Sequence, residues 1–401
     1  IREACDPYAR ATGVNGERAM ILDLASTNPA GWETDKNPQA GKPITDAVIY
    51  ELHVRDLSTH RSSRIRNKGK FLGLAETQKK TKGGHPTGLD HIKELGITHV
   101  HLLPVYDFGF TDESRKSPQY NWGYDPVNFN VPEGSYATDP FNGEVRVKEM
   151  KQMVKTLHDN GIGVIMDVVY NHTYQSHDSV FEQTVPGYYY RMKDGEFANA
   201  SGCGNETASD HKMMRKFMVD SLCYLAKEYH VDGFRFDLAS ILGRDQNGAP
   251  MANPPILETL AFDSSLSKTK LIAEAWDAGG LYQLGAISGS KWREWNGQFR
   301  DDVRSFMRGD GAMVKKFVLR ILGSPDIYNE HQVDPQKSIN FITCHDGFTL
   351  NDLVTYADKH NDANGEHNCD GNNNNYSANY GFEGPCEDKN LNALRLRMAK
   401  N

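Results

Sequence analysis

An α/β fold, specifically a parallel (β/α)8 barrel of the TIM type, is predicted by three observations. Short β-branched apolar runs recur along the chain, helix-like stretches separate them, and several runs end in charged side chains. Seven such alternations exceed the usual open doubly wound sheet, and 401 residues suit one barrel with insertions.

Residues 1–45 are rich in turn formers, with Pro7, Gly13, Gly16, Pro29, Gly31, Pro38, Gly41 and Pro43, and read as a linker or the edge of a preceding domain. The catalytic barrel is assigned to residues 46–401. Its candidate strands are 47–54, 98–105, 163–169, 231–237, 270–276, a weaker stretch at 292–299, and 338–344. Apolar positions spaced by three and four predict helices over 89–95, 149–158, 211–229 and 312–321. Runs such as Val164-Ile165-Met166 suit a sheet buried on both faces. A helical pattern from Asp388 fills the remaining chain, so the barrel is expected to stop before its eighth strand. The Gly- and Asn-bearing segment 359–385 is long for a connection and reads as a loop near a site.

Net charge is −8 and basic residues do not cluster outside a mixed patch at 61–82, which disfavours nucleic acid as a partner. No apolar stretch approaches the roughly 20 residues of a membrane helix, so no membrane partner is expected. The six cysteines lack CxxC spacing, which argues against a zinc site and for reduced thiols in a cytoplasmic enzyme, secretion being the alternative. A neutral substrate fits these properties.

In a parallel barrel, ligand-facing side chains project from the carboxyl ends of the strands. Here those ends carry Asp167 with Asn171-His172, Arg235 with Asp237, Glu274 with Trp276, and His345-Asp346. The second strand leads into the aromatic segment Tyr120-Asn-Trp122-Gly-Tyr124-Asp125-Pro126. Arg235 and Asp237 are two apart and share a face, and a neighbouring cation keeps a carboxylate ionised, as a nucleophile requires. The indole of Trp276 beside Glu274 would favour the protonated form that a general acid needs. Asp346 could bind hydroxyls or counter developing positive charge. Nucleophile and acid about 5 to 5.5 Å apart are the minimum for retaining glycoside hydrolysis. Taken singly, each residue also has a bland reading. Strand-end carboxylates often cap helices, Asp167 reads as a structural partner of Arg235, and His172, His345, Trp122 and Tyr124 could be satisfied core residues. The joint pattern carries the functional reading.

Four segments in order, Asp167-Val-Val-Tyr-Asn-His172, Asp232-Gly-Phe-Arg-Phe-Asp237, Ala273-Glu-Ala-Trp276 and His345-Asp346, resemble the signature regions of the α-amylase superfamily, glycoside hydrolase family thirteen. Tyr120 to Pro126 with Asn130-Val-Pro-Glu-Gly-Ser-Tyr136 resembles type I pullulanases. Glu274-Ala-Trp-Asp-Ala-Gly-Gly-Leu-Tyr-Gln283 and Glu294-Trp-Asn-Gly297 resemble isoamylases and glycogen-debranching enzymes. The resemblance implies cleavage of α-1,6 branch points in pullulan, glycogen or amylopectin-type glucans. It implies Asp237 as nucleophile, Glu274 as acid/base and Asp346 as transition-state stabiliser. Trp122, Tyr124, Asp125, His172, Arg235, Trp276 and His345 would bind the branched α-glucan. It further implies an N-terminal β-sandwich carbohydrate-binding domain before residue 45 and a C-terminal β-domain after the barrel. No cofactor is called for; some relatives carry structural Ca²⁺, but no Asp-rich loop of recognisable ligand spacing occurs.

Three other readings compete with this one. His99-Val-His101 suggests a metal-dependent barrel hydrolase but lacks the further ligands such a site needs. A transglycosylase such as a branching enzyme would share the acid and nucleophile. A non-catalytic glycan-binding protein fits poorly with three retained carboxylates.

Overall fold

The structure, a computed structural model, describes residues 3–115, 119–287, 289–328 and 333–401. It divides into two compact units, one of Ile1–Gln283 with Ile287–Trp292 and one of Leu284–Ala286 with Arg293–Asn401.

In the first unit, strands β1 (Ile49–Leu52), β2 (His99–Leu102), β3 (Gly163–Val168), β4 (Gly233–Phe236) and β5 (Lys270–Ala273) run parallel, each hydrogen-bonded to the next. The connections carry α1 (Leu89–Glu94), α2 (Gly143–Asp159), α3 (Lys212–Glu228) and α4 (Pro255–Phe262). The apolar positions of α2, among them Val147, Met150, Val154 and Leu157, are fully buried, as are Met214, Leu222 and Leu225 of α3. Asn142 caps α2 by accepting from the Glu144 amide, and Pro255 opens α4 where its missing N–H costs nothing. Register matters for the site: Asp167 of β3 stands opposite Arg235 of β4, and Phe236 opposite Ala273 of β5.

The opening segment forms four short 3-10 turns and packs into this unit, which its turn-rich composition did not announce. Trp32 is buried and stacks on the His230 ring, centroids 4.0 Å apart and planes within 5°. Asp35 Oδ2 accepts from Nδ1 of both His158, at 2.7 Å, and His230, at 2.8 Å. The other nitrogen of His158 reaches Asp232 Oδ2 at 3.0 Å, and that same oxygen accepts the Val164 amide of β3.

Strand β6 (Trp292–Trp295), which belongs to the second unit from Arg293 on, pairs in parallel with β7 (Ser338–Ile339), Glu294 standing opposite Ser338 and Trp295 opposite Ile339. Helices α5 (Gly297–Arg308) and α6 (Val314–Ile321) are joined by stacked Phe306 and Phe317 rings, and α7 spans Lys389–Lys400. The seven parallel strands lie where the apolar runs predicted them, each shorter than its run; two antiparallel pairs, Tyr106–Phe108 with Pro126–Pro132 and Met192–Lys193 with Glu196–Phe197, lie outside those runs. No strand follows β7 among the described residues. Among them, too, no helix is long and apolar enough to cross a membrane.

Candidate active site

The site in the first unit is built around one cation. Arg235 projects from β4 with no exposed surface, and its Nη1 lies 3.0 and 3.2 Å from the two carboxylate oxygens of Asp167. The same nitrogen is 3.0 Å from Asp237 Oδ1, while Nη2 is 3.1 Å from Glu274 Oε1. A buried guanidinium with its planar fork of donors can hold several carboxylates in fixed positions, which a flexible ammonium cannot. Burial would strip its charge, but the surrounding carboxylates hold its pKa well above the ordinary value.

Each carboxylate is then fixed by further donors. Asp167 Oδ2 accepts from the Tyr124 hydroxyl at 2.8 Å and pairs with His101 Nε2 at 3.1 Å. Asp237 Oδ2 accepts from Asn171 Nδ2 at 2.8 Å, and that amide also donates to the Asp237 carbonyl at 2.9 Å. Glu274 Oε2 accepts the Leu238 amide at 2.8 Å. Leu238 achieves this from the left-handed region, with φ 40°, a conformation costing a non-glycine residue about 1–3 kcal/mol. Strain immediately after the expected nucleophile is thus coupled to the placement of the expected acid. His172 is buried; its Nε2 lies 2.7 Å from the Tyr124 carbonyl and its Nδ1 2.5 Å from Asn171 Oδ1, and burial lowers its pKa.

The structure therefore brings Tyr124, Asp167, His172, Arg235, Asp237 and Glu274 into one network. Asn171, absent from the residues expected to act, is part of it. Its place beside His172 was the available signal. Trp276 stacks on Tyr282, and Glu274 meets Arg235 and the Leu238 backbone N–H. Trp122 donates through Nε1 to the Tyr120 hydroxyl at 2.9 Å. Asp125 is tied to its own loop, accepting the Phe110 amide at 2.7 Å and Asn121 Nδ2 at 3.1 Å, and burial lifts its pKa to about 6. In the second unit, His345 Nε2 and Asp346 Oδ1 are 3.5 Å apart, and the His345 ring sits 6.2 Å from that of Trp295.

Two carboxylate groupings have the spacing of metal ligands. His101 and Asp167 belong to the network just described, with Arg235 as its cation, and Glu51 Oε1 lies 3.8 Å from His101 Nδ1. Asp107, Glu113 and Glu133 are buried around Arg146, whose Nη1 is 3.4 Å from Asp107 and whose Nη2 bonds Glu113. Crowding and burial raise Asp107 to about 7 and lift Glu133 as well. His99 contributes to neither grouping; its Nδ1 lies 2.8 Å from Thr98 Oγ1, which leaves the HxH pair without a common ligand set among the described residues.

Residues 82–198 match the family described as alpha amylase, catalytic domain. Isoamylase 3, chloroplastic, of Oryza sativa subsp. japonica is 40% identical over 420 residues, covering 99% of this chain and 52% of its own. The glycogen operon protein GlgX homolog of Mycobacterium tuberculosis is 41% identical over 379 residues, covering 92% of this chain and 51% of its own. Among solved structures, the pullulanase of Paenibacillus barengoltzii in complex with maltohexaose and α-cyclodextrin superposes with a TM-score of 0.78 at 42% identity, over 87% of this chain and 56% of that one. The fold is accordingly that of a TIM barrel, and the chain belongs to the α-amylase superfamily. Within it, the relatives are debranching enzymes of the isoamylase, GlgX and pullulanase group. The chain spans about half the length of the curated relatives it matches.

Proposed function

We propose that the protein is a retaining glycoside hydrolase that cleaves α-1,6 branch linkages in α-glucans. The observation that carries this reading is the sharing of one buried guanidinium by Asp237 and Glu274, each about 3 Å from it. Such sharing suits the short carboxyl separation of a retaining enzyme. Asp237, aligned by Asn171 and Arg235, attacks the anomeric carbon. Glu274 delivers its proton to the glycosidic oxygen, so the leaving chain departs as an alcohol and a glycosyl ester remains on Asp237. Water then adds to the anomeric carbon, Glu274 takes its proton, and Asp237 is released as a carboxylate. Of the two, Glu274 is the more deeply buried, with the side chain 3% exposed against 11% for Asp237.

Asp346 keeps the transition-state role its motif implies. Trp122, Tyr124, Asp125, His172, Trp276 and His345 keep theirs in binding the branched glucan. The α-1,6 preference is supported by the isoamylase, GlgX and pullulanase relatives, which are debranching hydrolases. The cytoplasm is the proposed location. The test is to incubate the protein separately with pullulan and with glycogen and assay new reducing ends. Hydrolysis with falling branch content is expected, and Asp237→Asn should lower turnover at least about 10³-fold in either case. Branch content that rises, or a correctly folded Asp237→Asn protein that keeps its activity, would overturn the reading.

A further inference from the structure

We infer that Tyr282 extends the substrate cleft on the leaving-group side, forming with Trp276 an aromatic platform for the glucan chain that bears the branch; this rests on the debranching reading above. The chain after β5 folds back on itself as a narrow antiparallel hairpin. The Gln283 amide donates to the Ala275 carbonyl at 2.7 Å and the Asp277 amide to the Leu281 carbonyl at 3.0 Å. Trp276 and Tyr282 bridge between these bonds as a directly opposed pair. In such a non-hydrogen-bonded pair the side chains lie on one face and approach closely. Their rings do so, with centroids 5.8 Å apart and planes within 9°. Two-residue alternation puts Glu274 on the face of Trp276.

The hairpin is held rigid from behind. The Asp277 side chain is fully buried; its Oδ2 accepts from Arg244 Nε at 3.0 Å and Nη2 at 2.6 Å, and its Oδ1 accepts the Leu281 amide at 3.0 Å. The Arg244 carbonyl in turn accepts from Arg191 at 3.0 Å. Yet Tyr282, at the front, is 49% exposed. A large aromatic ring kept half in water on a braced hairpin is a preorganised contact surface awaiting an apolar face. The saturated C–H face of a pyranose ring supplies one. Glu274 must reach the oxygen of the departing sugar, so the surface that continues outward from it meets the leaving chain and not the glycosyl group bound to Asp237.

The experiment compares kcat/KM of the protein and of Tyr282→Ala and Tyr282→Phe on two substrates. One is α-maltosyl fluoride, whose leaving group carries no sugar; the other is amylopectin β-limit dextrin, whose leaving group is a chain. For Tyr282→Ala the ratio of dextrin to fluoride activity should fall about three- to tenfold, through KM more than kcat, and Tyr282→Phe should restore it. An unchanged ratio, or equal losses on both substrates, would overturn the inference. If the unaltered protein cleaves the fluoride but no branched glucan, the debranching reading fails instead. In that event the inference is decided by maltohexaose binding to Glu274→Gln followed by tryptophan fluorescence: a Tyr282→Ala change that weakens it supports the platform, and one that leaves it unmoved overturns it.

Discussion

Replacing His158 by Gln tests whether the opening segment is anchored by charge. The imidazole is buried, with Asp35 on one nitrogen at 2.7 Å and Asp232 on the other at 3.0 Å, so both nitrogens donate and the ring is an imidazolium. Burial alone would lower its pKa, but bonds to the two carboxylates outweigh that and raise it from 6.5 to about 9. Seen from the other partner, burial would raise Asp35, but its bonds to His158 and His230 push it down to about 2; the His158 share of that shift is the same interaction and counts once. The histidine shift corresponds to ~3 kcal/mol of folding stability. Because the folded pKa is the higher one, this stabilisation is complete below pH 6.5 and fades as the pH rises through about 9. On the acid side it is lost as Asp35 is protonated between 3.8 and about 2. Urea unfolding followed by circular dichroism from pH 5.5 to 9.5 should therefore show a deficit for His158→Gln that is ~3 kcal/mol at pH 6 and mostly gone by pH 9. A deficit that does not vary across this range would mean that lost packing, and not charge, explains the anchor.

Asp167→Asn keeps the shape of the network but removes a charge facing Arg235 and His101. Its kcat on branched glucan should drop about 10²-fold or more with KM little changed, and an unaltered kcat would show that Asp167 does not position the acid and nucleophile. Gly109→Ala would put a Cβ 2.3 Å from the Tyr174 ring, so the loop or the ring must move; a melting temperature lowered by the equivalent of ~1–3 kcal/mol is expected, and an equal one would show the site relaxes freely. Asp125, lifted from 3.8 to about 6 by burial, costs stability progressively as pH climbs through that interval. Asp125→Asn should thus stabilise the protein by up to ~3 kcal/mol at pH 7 and not at all at pH 3.5, as read by urea unfolding; destabilisation at pH 7 would refute this account.

What was legible in the sequence is what local spacing controls. Alternation placed Arg235 and Asp237 on one face, and both do meet. The β-branched runs located the seven parallel strands but overran them, because apolar residues continue past the strand ends, as at Ala275 and Val169, and they did not locate the two antiparallel pairs at 106–132 and 192–197. The stretch at 292–299 was read as one strand, whereas Asn296 caps Phe299 and starts α5 there. Contacts between residues far apart in sequence were not legible. The partner of Glu274 is Arg235 on the neighbouring strand, and the partner of Asp35 lies 123 residues away. The stack of Trp276 on Tyr282 was not legible either, because it depends on the hairpin that pairs them directly. Asn171 was legible as a strand-end residue but carried no assigned role, because an amide has no titratable signature of its own and its bonds to Asp237 span 66 residues.

The anchoring of both proposed catalytic carboxylates to a single buried guanidinium separates two kinds of evolutionary change. The distance between the proposed nucleophile and the proposed acid is set by one paired rung of two neighbouring strands, Phe236 opposite Ala273, so it survives any remodelling of the rim. The hairpin at 275–283 and the aromatic segment at 120–126 can then be exchanged or lengthened to admit a different glucan architecture without resetting the bond-breaking step. Grafting those two segments between debranching relatives should transfer preference while leaving intrinsic reactivity intact.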